Sequence, residues 1–138
     1  MKQLNSFIAG TGSFLPKKKV TNSDLEKKIN TNDEWIHSRT GIKSRYLASE
    51  GELTSTLALQ ASLNAIENSS ISIDQIDLIV LATTTPDEVF PATATVLQSQ
   101  LGLSGGIAFD IQAVCSGFVY ALTVADSMLK SGQGKKAL

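Results

Sequence analysis

The sequence has little of several things that would announce a function. Among its 138 residues there is one cysteine, one histidine, one tryptophan and three prolines. A single cysteine cannot form an internal disulfide, and with only one histidine beside it the usual zinc ligand sets are missing. No GK[ST] phosphate loop occurs either, so no metal, no cofactor and no nucleotide-triphosphate site is expected. Apolar runs are short: those such as residues 78–82 fall far below the roughly 20 apolar residues that a spanning helix needs. The first six residues, MKQLNS, lack the apolar stretch of a signal peptide, which with the unpaired cysteine points to a reducing cytoplasm. In that setting the glycosylation triplet Asn68-Ser69-Ser70 is read as a chance match. Twelve Lys and Arg against thirteen Asp and Glu leave the chain near neutral, without the basic excess that attracts nucleic-acid phosphates. No repeat, linker or low-complexity block interrupts it. A 42% hydrophobic content over this length suits one domain spanning residues 1–138.

What the chain does contain is regular punctuation. Residues 6–15 read as a strand with small residues at its middle, stopped by Pro16 before a solvated basic turn at Lys17-Lys18-Lys19. Ser23 with Glu26 has capping-box spacing for a helix through Lys28, and Thr31 with Glu34 repeats it for a helix through Arg39 that Gly41 ends. Residues 42–48 read as extended. Thr54 or Ser55 is expected to cap a helix to Glu67, whose Leu59, Leu63 and Ile66 share a face that should meet a sheet. Residues 76–83 are a continuous Ile, Leu and Val run, the pattern of a strand buried on both faces in a parallel sheet. Pro86 and Pro91 bracket a loop, residues 92–101 form a helix ended by Gly102, and residues 107–111 supply a second buried strand. Strand and helix alternate, which predicts an α/β layered fold with ligands beyond the carboxyl ends of the strands.

Cys115 falls at such a place, where the strand at 107–111 turns into an almost continuously apolar helix reaching Leu129. Helix amide groups and the positive end of the helix dipole favour a thiolate and can hold an oxyanion. The run Ala113-Val114-Cys115-Ser116-Gly117 resembles a nucleophile elbow with Cys in place of Ser, small residues allowing a tight turn and close substrate approach. The alternative is that Cys115 packs as a small hydrophobe, as free cysteines often do. Trp35 and Arg39 lie four apart, as do Thr31 and Trp35, so all three are expected along one helical face. An indole plane and a guanidinium fork suit a nucleotide base and its phosphates; otherwise Trp35 anchors the core and Arg39 pairs with a carboxylate. Gly10-x-Gly12 is not a dinucleotide fingerprint, because Leu15 and Pro16 follow where a third glycine and a helix are needed. His37, within the Trp35 helix, is read as a surface residue.

The segment AFDIQAVCSGFVYAL resembles the active-site segment of β-ketoacyl-acyl carrier protein synthase III, a family of the thiolase superfamily. Three further stretches agree in order: Gly10-Thr11-Gly12-Ser13-Phe14-Leu15-Pro16, then Asp33-Glu34-Trp35-Ile36 with Arg39-Thr40-Gly41-Ile42, then Ala82-Thr83-Thr84-Thr85-Pro86-Asp87 with Phe90-Pro91. The resemblance covers nearly the whole chain. It implies a thiolase-like half-domain: a layered, mixed but mostly parallel sheet, with a buried central helix starting at the nucleophilic cysteine. It further implies that Cys115 is acylated by acyl-CoA, that Thr31, Trp35 and Arg39 contact coenzyme A, and that Phe90 closes the partner's acyl pocket in a homodimer. The second substrate is then malonyl-acyl carrier protein, condensed with loss of carbon dioxide to begin fatty acid synthesis, without a metal. Chalcone synthase and hydroxymethylglutaryl-coenzyme A synthase share the fold and a cysteine nucleophile, but the Trp35 motif argues against both.

Family members carry a second, similar half that supplies a His and an Asn. These 138 residues are therefore expected to be an incomplete domain lacking condensing activity on their own. Residue 138 should fall where a further strand begins, leaving an unpaired sheet edge and uncovered apolar helix faces. Two other classes compete. A cysteine-elbow α/β-hydrolase needs a downstream His that the sequence does not contain, and a non-catalytic binding or assembly module would use the fold without its chemistry.

Overall fold

The computed structural model describes residues 5–138, so the leader reading rests in part on residues 1–4, outside the described ones. The chain divides into two compact units: Leu15–Glu52, and the N-terminal stretch through Phe14 together with Leu53–Leu138.

In the unit Leu15–Glu52, β1 (Lys18–Thr21) pairs antiparallel with β2 (Ser44–Leu47), Lys18 opposite Leu47 and Thr21 opposite Ser44. The basic triplet is therefore not a turn. Lys18 and Lys19 open β1, where long charged side chains suit an exposed strand. Between the strands lie α1 (Asn22–Glu26) and α2 (Asp33–Thr40). Both are capped away from the expected residues. Thr21 and Asp24 form the box of α1: the Thr21 amide donates to Asp24 at 3.0 Å and the Asp24 amide returns to Thr21 Oγ1 at 3.2 Å. Aspartate serves there as well as glutamate, which is why Ser23 and Glu26 end up inside the helix. Asn32, rather than Thr31, caps α2, accepting from the Trp35 amide at 2.7 Å. Gly41 closes α2 as expected, in the left-handed conformation with φ 70°.

The buried residues of this unit are Val20, Ile36 and Asn22. Asn22 is one that sequence reading passed over. Its amide nitrogen donates to Asp33 Oδ1 and to the Ile42 carbonyl, both at 2.7 Å, and its oxygen accepts from Arg45 Nη2 at 2.7 Å. One buried amide thus ties the start of α1 to the start of α2 and to β2, with both of its donor hydrogens and its oxygen engaged.

The other unit contains α3 (Thr54–Glu67), β3 (Leu78–Ala82), α4 (Thr93–Gln100), β4 (Ile107–Ile111) and α5 (Gly117–Lys130). β3 and β4 pair in parallel, Leu78 opposite Ile107 and Ala82 opposite Ile111, as their continuous apolar runs predict. Successive side chains of β3 point to opposite faces. Ile79 and Leu81 join Ala94, Leu97 and Leu101 in the core on the α4 side, whereas Val80 and Ala82 line a groove with α5. Residues 136–138 run along β3 as well. Ala137 bridges Leu78 in parallel, and the Val80 amide donates to the Leu138 carbonyl at 3.0 Å, so residue 138 does fall in an incipient strand.

Residues 6–15 are not a strand. They pair with no other strand among the described residues, and two of their carbonyls are met by side chains of α3 and its C-cap instead: Asn64 Nδ2 donates to Ser13 at 2.9 Å and Asn68 Nδ2 to Thr11 at 3.1 Å. The apolar face of α3 also departs from expectation. Leu59 and Ile66 reach the core but Leu63 stays exposed, and α3 packs on α4, which itself occupies the sheet face. The helix after Cys115 differs too. Its inner side packs on β3 through Gly117 and Ala121, while Phe118, Val119, Tyr120 and Leu122 are exposed among the described residues, so it is covered on one side rather than buried.

Asp77 secures the added edge. Its carboxylate accepts from the Lys135 amide at 2.9 Å and from the Lys136 amide at 2.9 Å. Partial burial pushes this carboxyl up, but the bonds from Lys136 and Lys135 more than reverse the effect and hold it below the ordinary value of 3.8. A carboxyl depressed by folding stabilises fully above its unfolded value, and that contribution disappears as pH falls through the lower folded value. Asp77→Asn is therefore expected to lower stability at neutral pH, by about 1.5–3 kcal/mol if both charge-assisted bonds weaken. The deficit should shrink in acid. Denaturant titrations at neutral and acidic pH check it, and an equal deficit at both would refute the ionic account.

Candidate active site

Cys115 sits in a single 3-10 turn, Val114–Ser116, between β4 and α5. The helix proper opens at Gly117, two residues later than expected. The reason is the sharpness of the reversal. Val114 has φ 46°, a left-handed conformation that costs a β-branched residue on the order of 1–3 kcal/mol. Such strain persists only where both ends of the segment are fixed. On the incoming side the Thr83 amide donates to the Ile111 carbonyl at 3.1 Å, and on the outgoing side Gly117 lies so close to Ala82 that an added Cβ would stand 3.2 Å from the Ala82 methyl. The strand-to-helix turn is sharp and strained, and the thiol is exposed at its tip.

The surroundings of the thiol are apolar on one side. Val80, Ala82, Phe118, Ala121, Leu122, Ala125 and the Ala137–Leu138 segment line a groove that also includes Cys115. On the other side lies the start of α5, whose N-cap Ser116 makes no side-chain cap. The two preceding helices of this unit contrast with it. Neither Leu53 before α3 nor Ala92 before α4 can cap, and neither Thr54 nor Ser55 does so; carboxylates from other elements bind the first amides instead. Asp87 accepts from Ser55 at 3.1 Å, and Asp110 accepts from Thr93 and Ala94, both at 2.7 Å. At the start of α5, by contrast, no carboxylate among the described residues binds the first amides, which leaves them able to hold an anion.

Phe90 belongs to the loop between β3 and α4 and is 86% exposed. The loop beneath it is tethered: Thr54 Oγ1 donates to the Thr85 carbonyl at 2.7 Å, Asp87 holds Ser55, and the Asp87 amide donates to Thr93 Oγ1 at 3.3 Å. An aromatic ring is thereby presented outward from an anchored base.

In the Leu15–Glu52 unit, Trp35 and Arg39 do share a face of α2. The Arg39 guanidinium lies 5.4 Å from the centre of the Trp35 ring, which is 55% exposed. Stacking of this kind restrains the guanidinium fork. Neither alternative holds: the indole is not a core anchor, and Arg39 forms no ion pair among the described residues. Thr31 differs. It lies one residue before the Asn32 cap and so outside α2, not on the helical face with the other two. His37 is exposed on α2, as read from sequence. Among the described residues no group of three or more His, Cys, Asp or Glu side chains converges as a metal site, and no helix is long and apolar enough to cross a membrane.

The sequence model of the 3-oxoacyl-[acyl-carrier-protein] synthase III family matches residues 109–138, the stretch around Cys115. The chain is 56% identical over 135 residues to a β-ketoacyl-[acyl-carrier-protein] synthase III of Novosphingobium aromaticivorans, covering 98% of this chain and 42% of that protein. It is 58% identical to the protein of the same name from Erythrobacter litoralis, with the same coverage. The crystal structure of 3-oxoacyl-[acyl-carrier-protein] synthase III from Aquifex aeolicus superimposes with a TM-score of 0.89 at 51% identity, over 94% of this chain and 42% of that one. The chain thus spans less than half the length of these relatives, and its fold is the α/β fold of their thiolase-like structures. Nearly the whole chain is thus similar to the N-terminal part of β-ketoacyl-[acyl-carrier-protein] synthase III proteins.

Proposed function

We propose that this chain carries the acyl-accepting half of a β-ketoacyl-acyl carrier protein synthase III, with Cys115 as the nucleophile. The observation that supports this best is the strained turn at Val114, which lifts an exposed thiol to the uncapped start of an apolar helix. In the first step the Cys115 thiolate attacks the thioester carbonyl of an acyl-CoA. The new C–S bond forms first and the carbonyl electron pair moves onto oxygen; the oxyanion then collapses, the bond to coenzyme A breaks, and coenzyme A leaves as a thiolate that takes up a proton. Amides at the turn and the start of α5 hold the oxyanion between these events. In the second step malonyl-acyl carrier protein loses carbon dioxide, its enolate attacks the acyl-cysteine, and the cysteine thiol is released with the β-ketoacyl product on the carrier.

Trp35 and Arg39 hold the nucleotide end of coenzyme A, base against indole and phosphate against the guanidinium fork, with Thr31 beside the cap of the same helix. Phe90 packs into the acyl pocket of a second subunit in a cytoplasmic homodimer. The 138-residue chain alone is expected not to condense, since it spans only 42% of the length of the relatives it matches.

The direct test is intact mass after incubation with a panel of acyl-CoA primers. A single acyl adduct that maps to Cys115 is expected, and a chain that stays unmodified while Cys115 still reacts with iodoacetamide would sink the proposal. Trp35→Ala and Arg39→Ala are each expected to weaken coenzyme A binding about tenfold, the order of a lost stacking or charge-assisted contact. Titration calorimetry reads this; unchanged affinity in both variants would remove α2 from the site.

A further inference from the structure

The Asp110 carboxylate stands between the nucleophile's strand and a helix that has no cap of its own. It lies in β4, opposite Leu81 of β3 and five residues before Cys115. Its two oxygens accept from the amides of Thr93 and Ala94, each at 2.7 Å, where α4 begins. Thr93 and Ala94 are both fully buried, so water cannot replace the lost acceptor if the carboxylate is removed. The same threonine continues the chain of bonds. Thr93 Oγ1 accepts from the Asp87 amide, and the Asp87 carboxylate binds Ser55 at the start of α3.

These bonds bear on the turn that follows. The left-handed Val114 is held only because both flanks of the turn are fixed. The outgoing flank rests on Gly117 against Ala82. The incoming flank is the end of β4, and two interactions hold it: Thr83 on the Ile111 carbonyl, and Asp110 on α4. Without Asp110 the strand keeps its ladder to β3 but loses the clamp that sets where its far end stands against α4. The turn can then relax toward an unstrained φ, and the thiol moves from the start of α5.

We infer that Asp110 is a positioning residue for Cys115: its carboxylate clamps β4 to the first turn of α4 and so maintains the strained turn that presents the thiol. The inference rests on the acyl-transfer reading for its relevance to turnover, and its test is chosen to stand apart from that reading. The 138-residue chain is compared with Asp110→Ala, Asp110→Asn and, as a core-weakening control remote from the turn, Leu59→Ala. Three quantities are read: hydrogen exchange at the Thr93 and Ala94 amides, the rate of Cys115 alkylation by iodoacetamide across neutral and mildly alkaline pH, and acylation by acetyl-CoA.

In Asp110→Ala both amides should exchange faster, alkylation should slow by about tenfold to a hundredfold, the scale of a displaced reacting group, and its pH profile should depart from that of the parent chain. Asp110→Asn, which keeps one acceptor oxygen, should restore part of both rates. Leu59→Ala should leave the alkylation profile unchanged. Faster amide exchange with an alkylation profile that superimposes on the parent's would make Asp110 a helix cap and nothing more, overturning the inference. If Asp110→Ala does not fold, Asp110→Asn is judged by the same criterion. Alkylation rates that separate the variants while no chain, parent included, takes up acetyl would end the acyl-transfer reading and leave the positioning role standing.

Discussion

If Cys115 is the proposed nucleophile, Cys115→Ala is expected to abolish covalent uptake of an acyl group from acyl-CoA while leaving the fold intact. The side chain lies exposed at the tip of a turn, so removing its sulfur creates no cavity, and stability should change by less than about 0.5 kcal/mol, as for surface substitutions generally. Any loss of adduct then belongs to the chemistry. Cys115→Ser separates nucleophile from shape, because a hydroxyl of nearly the same size keeps its proton at neutral pH and is a far weaker nucleophile than a thiolate. Both variants should therefore show no acyl adduct by intact mass, where the parent shows one. The competing readings predict other patterns. A cysteine hydrolase would turn over an aryl ester, abolished by Cys115→Ala, and a binding module would have a thiol that alkylates like a free cysteine and gains no protection from coenzyme A.

The position of that cysteine was legible because two strong local signals meet there. A continuous apolar strand run ends at Ile111 and an apolar helix run follows, and tertiary context seldom overrides signals of that kind. What lies between was not legible. Nothing in Ala113-Val114-Cys115 says that the valine adopts φ 46°, a conformation set by Gly117 against Ala82 and by the hold on β4. The caps show the same division. Gly41 was read correctly because a left-handed helix end nearly requires glycine. Thr21 and Asn32 were missed because several neighbouring residues could cap and only geometry chooses among them. The caps of α3 and α4 lay beyond local reading altogether, since Asp87 is 32 residues from Ser55 and Asp110 is 17 from Thr93. Asn22 belongs with them: a buried asparagine hub has no sequence signature until its partners at Asp33, Ile42 and Arg45 are brought together. Residues 6–15 failed for a different reason. A strand exists only by pairing, and here the side chains of Asn64 in α3 and Asn68 at its C-cap take the place of a ladder.

That contact makes Gly12 sensitive to substitution. A Cβ built there would overlap the carbonyl oxygen of Ala61 and the amide nitrogen of Ala65, and one built at Gly10 would stand 2.5 Å from the Ala65 carbonyl oxygen. These are backbone atoms of α3, fixed by its own hydrogen-bond ladder, so the helix cannot yield as a flexible side chain would. The segment must move instead. Moving it breaks the bonds from Asn64 to Ser13 and from Asn68 to Thr11, each contributing about 1 kcal/mol, and opens the packing of the glycines on the small residues Ala61 and Ala65. Gly12→Ala is therefore expected to cost roughly 3 kcal/mol, the upper end of overpacking penalties. Amide exchange through residues 5–14 should rise with the drop in stability, because this segment is what the added methyl displaces. Gly105→Ala is the matched control: no atom lies within 4 Å of its added Cβ and its φ is not in the left-handed region, so the change should be neutral or stabilising by up to about 1 kcal/mol through the unfolded chain. Equal denaturation midpoints for Gly12→Ala and the parent would mean that residues 5–14 do not rest on α3 in solution.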